Sequence, residues 1–134
     1  MPEHILDTRF GQIRYHHDAV LNFTEGLYGY ETLKQFLLWE DKAYHPFKWL
    51  ISLERSDFMV PVINPQLFVE GYQPQVSGLE KWKGLLVVVT IGESKQDVTA
   101  NLRAPILILE ESKLAKQVIL ADVGYSLKHP VILK

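Results

Sequence analysis

The feature that most constrains this chain is its abundance of β-branched apolar residues beside a scarcity of alanine. Isoleucine and valine together occur 21 times in 134 residues, whereas alanine occurs six times. Branching at Cβ restricts χ1 and favours pleated strands over helices. Apolar runs of five to eight residues recur between Gly, Pro, Asn and Asp, and no segment keeps the i, i+3, i+4, i+7 spacing beyond two turns. We therefore predict a mostly β, largely antiparallel protein whose strands form a barrel or a sandwich.

The length predicts a single domain spanning residues 1–134, because a chain of this size buries about two-thirds of its unfolded surface. No linker composition, internal repeat or low-complexity tract divides the sequence. One short helix is predicted at 77–84, where Ser77 and Glu80 have the spacing of a capping box and Gly84 provides a C-terminal stop.

Alternation of apolar and polar residues predicts where the strands lie. Residues 13–18 alternate between two faces, which indicates a half-buried strand. The segment 85–91 is apolar on both faces, so we expect this strand to be central. Residues 97–104 alternate most regularly, whereas 58–63 contain Pro61, which cannot donate to a ladder and predicts an edge strand or a bulge. Further strands are predicted at 36–40, 48–53, 106–109, 117–121 and 125–133.

Charge and cysteine content exclude several classes of function. The 14 Lys and Arg against 16 Asp and Glu give a formal charge of −2, so we expect no direct nucleic acid binding, which relies on clustered cations. The absence of cysteine excludes disulfides and thiolate chemistry. No apolar run reaches the roughly 20 residues of a membrane span, and the first residues lack the pattern of an export signal. A cytoplasmic location is predicted, with no membrane contact.

The usual sequence signatures of chemistry are missing. We find no Gly-rich phosphate loop, no HExxH and no GxSxG. His16, His17 and Asp18 are adjacent, but only His16 and Asp18 would share a strand face, and two ligands are too few for zinc. We therefore predict no metal, no cofactor and no enzymatic activity.

A loop with two glycines and two tyrosines is the first candidate for partner binding. Turn glycines allow tight backbone bends, and exposed tyrosines are effective anchors at protein interfaces. The alternative is that Leu27 and Tyr30 plug the end of the barrel. The first half of the chain is also the acidic half, with nine Asp and Glu against six Lys and Arg in residues 1–67. The predicted partner-binding residues are Glu25, Gly26, Leu27, Tyr28, Gly29, Tyr30, Glu31 and Asp57.

A second candidate is the polar face of the segment 97–104, formed by Thr99, Asn101 and Arg103. Three polar side chains on one face could bind a ligand, which would make the protein a small-molecule-binding β-barrel. They could equally satisfy irregular backbone nearby. We favour a structural polar network, because no general base or nucleophile accompanies the three residues.

Four segments in order resemble the flagellar assembly factor FliW family. They are FTEGLYGYE at 23–31, PFKWLIS at 46–52, VTANLRAP at 98–105, and QVIL at 117–120 followed by Tyr125 and His129-Pro130. The resemblance extends from about Thr8 to Val131.

The resemblance implies a regulatory binding protein with a small β-barrel-like fold. FliW-like proteins antagonise the translational repressor CsrA and also bind flagellin, which competes for them. Flagellin synthesis would thereby be coupled to flagellum assembly by partner switching. The identity of both partners comes from the resemblance. The residues themselves are only compatible with binding such partners.

Overall fold

Seven strands close into a barrel in the computed structural model, which describes residues 3–55, 57–74, 82–92, 97–109, 111–121 and 124–133. The mostly β prediction is confirmed. The strands are β1 (Glu3–Thr8), β2 (Gly11–His16), β3 (Val20–Phe23), β4 (Gln35–Glu40), β5 (Lys48–Ser52), β6 (Met59–Ile63), β7 (Gly84–Ile91), β8 (Val98–Ala100), β9 (Ile106–Leu109), β10 (Leu114–Gln117) and β11 (His129–Pro130), with 3₁₀-helices at His17–Ala19, Lys42–Tyr44 and Pro65–Leu67.

Around the barrel the order is β3, β4, β5, β6, β7, β9 and β10, and the last strand returns to β3. The return pairing is parallel, with Leu114 opposite Asn22, whereas the other barrel pairs are antiparallel. β7 pairs with β6, β8 and β9, so the expectation that the apolar segment 85–91 is central is confirmed.

The lumen of the barrel is filled by apolar side chains, so its centre is a packed core. Strand alternation directs Phe23, Phe36, Leu50, Val62 and Ile106 inward, and all five are buried. At one end, which we name the closed end, the β3–β4 loop adds buried Leu27 and Leu33 to this cluster. The opposite end, where β3, β5 and β7 begin, is the open end.

Two further apolar clusters lie on the outside of the barrel wall. The β1–β2 hairpin covers the first, packing Phe10 against the rings of Trp39 and Trp49 at centroid distances of 5.0 and 5.2 Å. The second includes Tyr72 and Leu102, which pack on the outer face of β7. β8 and β11 extend the sheet from β7 over this second cluster.

Two local predictions in the first half of the chain need correction. His17 does not continue the strand from Ile13, because it begins a 3₁₀-helix and is exposed. Pro61 does not lie on an edge strand, since β6 is flanked by β5 and β7. Its missing N–H is tolerated because the ladder to β7 begins only at Val62.

Three strand predictions in the second half are also wrong in their bounds. The segment 97–104 forms a strand only at Val98–Ala100 and then turns. The strand predicted at 117–121 lies instead at Leu114–Gln117, so only Gln117 belongs to both. Within 125–133 only His129–Pro130 pairs as a strand. Most of the helix predicted at 77–84 lies outside the described residues, and Gly84, its expected stop, is the first residue of β7.

Candidate functional site

The glycine–tyrosine loop, residues 25–31, lies at the closed end of the barrel and bends at Gly26. Gly26 has φ +69°, a region that favours glycine, and a Cβ there would lie 2.6 Å from the Cα and carbonyl oxygen of Glu31. Its amide donates to the Phe23 carbonyl at 2.9 Å. Gly29 has φ +89° but open space around it, so only its backbone conformation requires glycine.

The loop presents one tyrosine to solvent and buries its leucine. The Tyr28 side chain is 73% exposed, whereas Leu27 is 4% exposed and belongs to the lumen cluster. Tyr30 is partly exposed, and its ring lies 4.3 Å from that of Phe58. The loop therefore combines both expectations, since Leu27 plugs the barrel end while Tyr28 faces outward. The Glu31 carboxylate accepts a hydrogen bond from the Gly29 amide at 3.2 Å.

Gln117 connects this loop to the segment 98–105. Its side-chain carbonyl accepts from the Tyr28 amide at 2.7 Å, and its NH₂ group donates to the Ala104 carbonyl at 3.2 Å. A single amide side chain thus satisfies backbone groups in both places. Sequence reasoning missed Gln117, although its inward register on β10 directs it toward the closed end.

The base of the loop is fixed by a second residue that sequence reasoning did not single out. The Glu54 carboxylate accepts from the amides of Lys34 and Gln35 at 2.6 and 2.7 Å. Buried Ser52 in turn accepts from the amides of Glu54 and Arg55 at 3.1 and 3.0 Å. Together these bonds hold the β5–β6 turn against the end of the glycine–tyrosine loop.

Two acidic side chains at the closed end have cations close by. Asp57 pairs with Arg55, whose Nε lies 3.0 Å from its Oδ1. The hydrogen bond from the Arg55 guanidinium lowers the pKa of the exposed Asp57 carboxyl below its ordinary value. Glu25 lies 3.9 Å from the ammonium of Lys116. Glu25 and Asp57 are therefore each paired with a cation at the closed end.

The structure brings Asn101 and Arg103 together but places Thr99 apart from them. Asn101 Oδ1 accepts from the Arg103 amide at 3.0 Å, and Arg103 Nε donates to the Tyr125 carbonyl at 3.0 Å. Thr99 lies in β8, opposite Thr90 and Pro130. Four surface cavities formed by described residues are lined by other side chains. None of these four cavities therefore supports the small-molecule alternative at Thr99, Asn101 and Arg103.

The turn that follows β8 is held by backbone hydrogen bonds from several directions. The Tyr72 hydroxyl donates to the Leu102 carbonyl at 2.6 Å, and the Leu102 amide donates to the Ser126 carbonyl at 2.9 Å. Burial raises the pKa of the Tyr72 hydroxyl, and the neighbouring Tyr125 adds to the rise. Leu102 and Ala104 are buried although neither lies in a strand.

No group of three or more His, Cys, Asp or Glu side chains converges as a metal site within the described ranges. His16, His17 and Asp18 are all exposed. None of the described helices is long and apolar enough to cross a membrane.

Comparison with known proteins identifies the family. The family model described as FliW protein matches residues 4–132. A flagellar assembly factor FliW from Thermotoga neapolitana is 38% identical over 135 residues, which cover 93% of this chain and 91% of that protein. One from Caldanaerobacter subterraneus is 36% identical, with coverage of 92% and 89%.

A solved structure agrees with these sequence matches. The crystal structure of the flagellar assembly factor FliW superposes with a TM-score of 0.85 at 30% identity, covering 98% of this chain and 99% of that one. The relatives are named as assembly factors and not as enzymes. With the family model matched across nearly all of its length, the chain belongs to the FliW family of flagellar assembly factors.

Proposed function

We propose that this protein binds a CsrA-type translational repressor and flagellin in the bacterial cytoplasm, one partner at a time, and catalyses no reaction. The observation that carries the proposal is membership of the FliW family over nearly the whole chain. Binding to the repressor relieves repression of flagellin synthesis, and flagellin competes for the same protein. The protein thereby couples flagellin synthesis to flagellum assembly and protects free flagellin as a chaperone does.

Partner switching sets a thermodynamic condition on the two binding events. When flagellin accumulates it occupies the protein, and the repressor is released to act. Export of flagellin then frees the protein to antagonise the repressor. This exchange requires sites that overlap or are coupled, and affinities close enough that one partner displaces the other at cellular concentrations.

The glycine–tyrosine loop is the proposed contact surface for a partner. Tyr28 offers a large amphipathic side chain that is already exposed, and such side chains are common binding hot spots. The fixed bend at Gly26 and the hydrogen bond from the Tyr28 amide to Gln117 hold the loop in one conformation, which lowers the entropy lost on binding. Asn101 and Arg103 are assigned a structural role, because their bonds are internal.

Electrostatic steering is expected to be modest for this chain. The net charge is −2, and the Glu25 and Asp57 carboxylates each have a cationic neighbour. Apolar and hydrogen-bonded contacts should therefore dominate the affinity for a basic repressor. Raising the salt concentration should slow association only mildly, because exposed charges are already screened beyond about 10 Å at 0.1 M.

A competition titration tests the proposal. The complex with the repressor is formed from purified proteins, and flagellin is added while the complex is followed by size-exclusion chromatography with light scattering. We expect release of free repressor as flagellin rises. A ternary complex that survives saturating flagellin, or the absence of measurable binding to either partner, would refute partner switching.

A further inference from the structure

The open end of the barrel holds a cavity of about 350 Å³ on the side away from the glycine–tyrosine loop. Its apolar lining includes Leu21, Leu86 and Ile108, which belong to the lumen cluster. Leu27 is buried at the opposite end of the same cluster, so the cavity lies above a packed core. Mouths of β-barrels are common places for small-molecule sites, and this volume lies within the usual range.

Three lysines lie among the polar residues that line this cavity. Lys48 is on the lumen-facing register of β5, two residues before buried Leu50, and its ammonium lies 3.5 Å from Glu40. Lys83 and Lys113 also line the cavity and form no ion pair within the described part of the chain. The mouth therefore places two ammonium groups, with no paired carboxylate among the described residues, beside the partly exposed side chains of Leu38 and Leu85.

Backbone hydrogen bonds fix the positions from which these two lysines extend. The Lys83 amide donates to the Ile108 carbonyl at 2.8 Å, and the Lys113 carbonyl accepts from the Asn22 amide at 2.8 Å. Both lysines are thus anchored to barrel strands on adjacent sides of the mouth. A carboxylate bound by both ammonium groups would accept charge-assisted hydrogen bonds, while its apolar tail covered Leu38 and Leu85.

We propose that the open end binds an amphiphilic carboxylate, with the anion held by Lys83 and Lys113 and the apolar body in the mouth of the barrel. A neutral apolar molecule would leave the ammonium groups unpaired, and an inorganic anion would leave the apolar lining uncovered. Asp18 also lines the cavity and repels an anion, so it limits affinity. This site is separate from the proposed partner surface at the closed end.

A titration of the full chain with octanoate and with octanol tests the proposal. Binding is followed by the NMR chemical shifts of the protein's amides. We expect octanoate to shift the amides of Gly84, Leu86 and Ile108, and to bind at least about threefold more tightly than octanol, as one exposed charge contact allows. The double variant Lys83→Gln/Lys113→Gln should remove this preference. Equal affinity of the two probes, or shifts confined to other parts of the chain, would overturn the proposal.

Matched variants separate a specific site from a general effect of charge. Lys34→Gln/Lys128→Gln removes the same number of charges away from the mouth and should leave octanoate binding unchanged. Asp18→Asn should tighten octanoate binding without affecting octanol. If the control pair weakens octanoate as much as the mouth pair does, Lys83 and Lys113 are not the anion site.

The same chemistry could come from a free acid or from the carboxyl terminus of a peptide. N-acetyl-leucyl-leucine with a free carboxylate, compared with its amide, distinguishes these sources. Tighter binding of octanoate assigns the mouth to free acids, whereas tighter binding of the dipeptide acid assigns it to chain termini. If neither acid binds more tightly than its neutral counterpart, the anion site is contradicted. The partner-switching proposal is unaffected by that result, because the competition titration tests it separately.

Discussion

Replacing Gly26 by alanine is expected to destabilise the protein far more than the same change at Gly29. Both glycines have positive φ in one short loop, at +69° and +89°. A Cβ at position 26 would meet three backbone atoms of Glu31 at 2.6 to 2.7 Å, whereas one at position 29 would meet nothing within 4 Å. The two substitutions therefore share the conformational penalty and differ in the clash.

The magnitudes follow from these two terms. Placing an L side chain in the left-handed region costs about 1–2 kcal/mol, and this is the whole cost for Gly29→Ala. At Gly26 the clash adds about 1–3 kcal/mol, because backbone atoms cannot rotate away as a side chain can. Gly26→Ala should lower the free energy of unfolding by about 2–5 kcal/mol, a large part of the stability of a small domain.

Equilibrium urea unfolding of the wild type and both variants measures the difference. The reasoning requires Gly26→Ala to have the lower midpoint, with unchanged dependence on urea concentration if the unfolded state is unaffected. If the two variants lose the same stability, or Gly29→Ala loses more, then the close approach to Glu31 does not constrain the loop and its proposed rigidity is wrong.

Two further predictions concern hydrogen bonds to the turn after β8. Those of Gln117 link this turn to the glycine–tyrosine loop, and that of Tyr72 is made to the turn itself. Gln117→Ala removes acceptor and donor together, so it should lower stability by about 1–3 kcal/mol and speed hydrogen exchange at the Tyr28 amide; unchanged protection there would contradict the bridge. Tyr72→Phe leaves the buried Leu102 carbonyl without its donor and should cost about 1–3 kcal/mol at neutral pH. Because burial raises the pKa of folded Tyr72, the stability it contributes is complete below pH about 10 and falls above it, by up to about 1.4 kcal/mol at pH 11. The Tyr72→Phe variant should lose less stability above about pH 10 than the wild type does. Identical dependence of stability on pH in the two proteins would refute the role of the Tyr72 hydroxyl.

Several parts of the fold could be predicted because they depend on local pattern. The apolar segment 85–91 is central because it must bury both faces, and β7 does so between three partner strands. The barrel-like fold that the family resemblance implies is confirmed, but local pattern does not reveal which strands close it, since closure is a two-residue parallel pairing of β10 with β3 across about ninety positions of sequence.

The segment 97–104 illustrates why a regular alternation can mislead. Leu102 and Ala104 are buried as the pattern predicts, but they lie in a turn. The backbone there is satisfied by Tyr72 and Ser126, which are distant in sequence, so a strand partner is unnecessary. Likewise, the role of Gln117 depends on a contact with Tyr28 that only the closed barrel creates.

The most direct measurement of the central claim compares Tyr28→Ala with Arg103→Ala in both partner affinity and melting temperature. The Tyr28 side chain is mostly exposed, so its loss should weaken binding of a partner by at least about fivefold while stability changes by less than about 0.5 kcal/mol. Arg103→Ala should do the reverse, because the guanidinium donates to the Tyr125 carbonyl. Leu67→Ala, an exposed apolar side chain outside the loop, should change neither quantity. If Arg103→Ala abolishes binding in a fully stable protein while Tyr28→Ala binds normally, the partner surface is not the glycine–tyrosine loop.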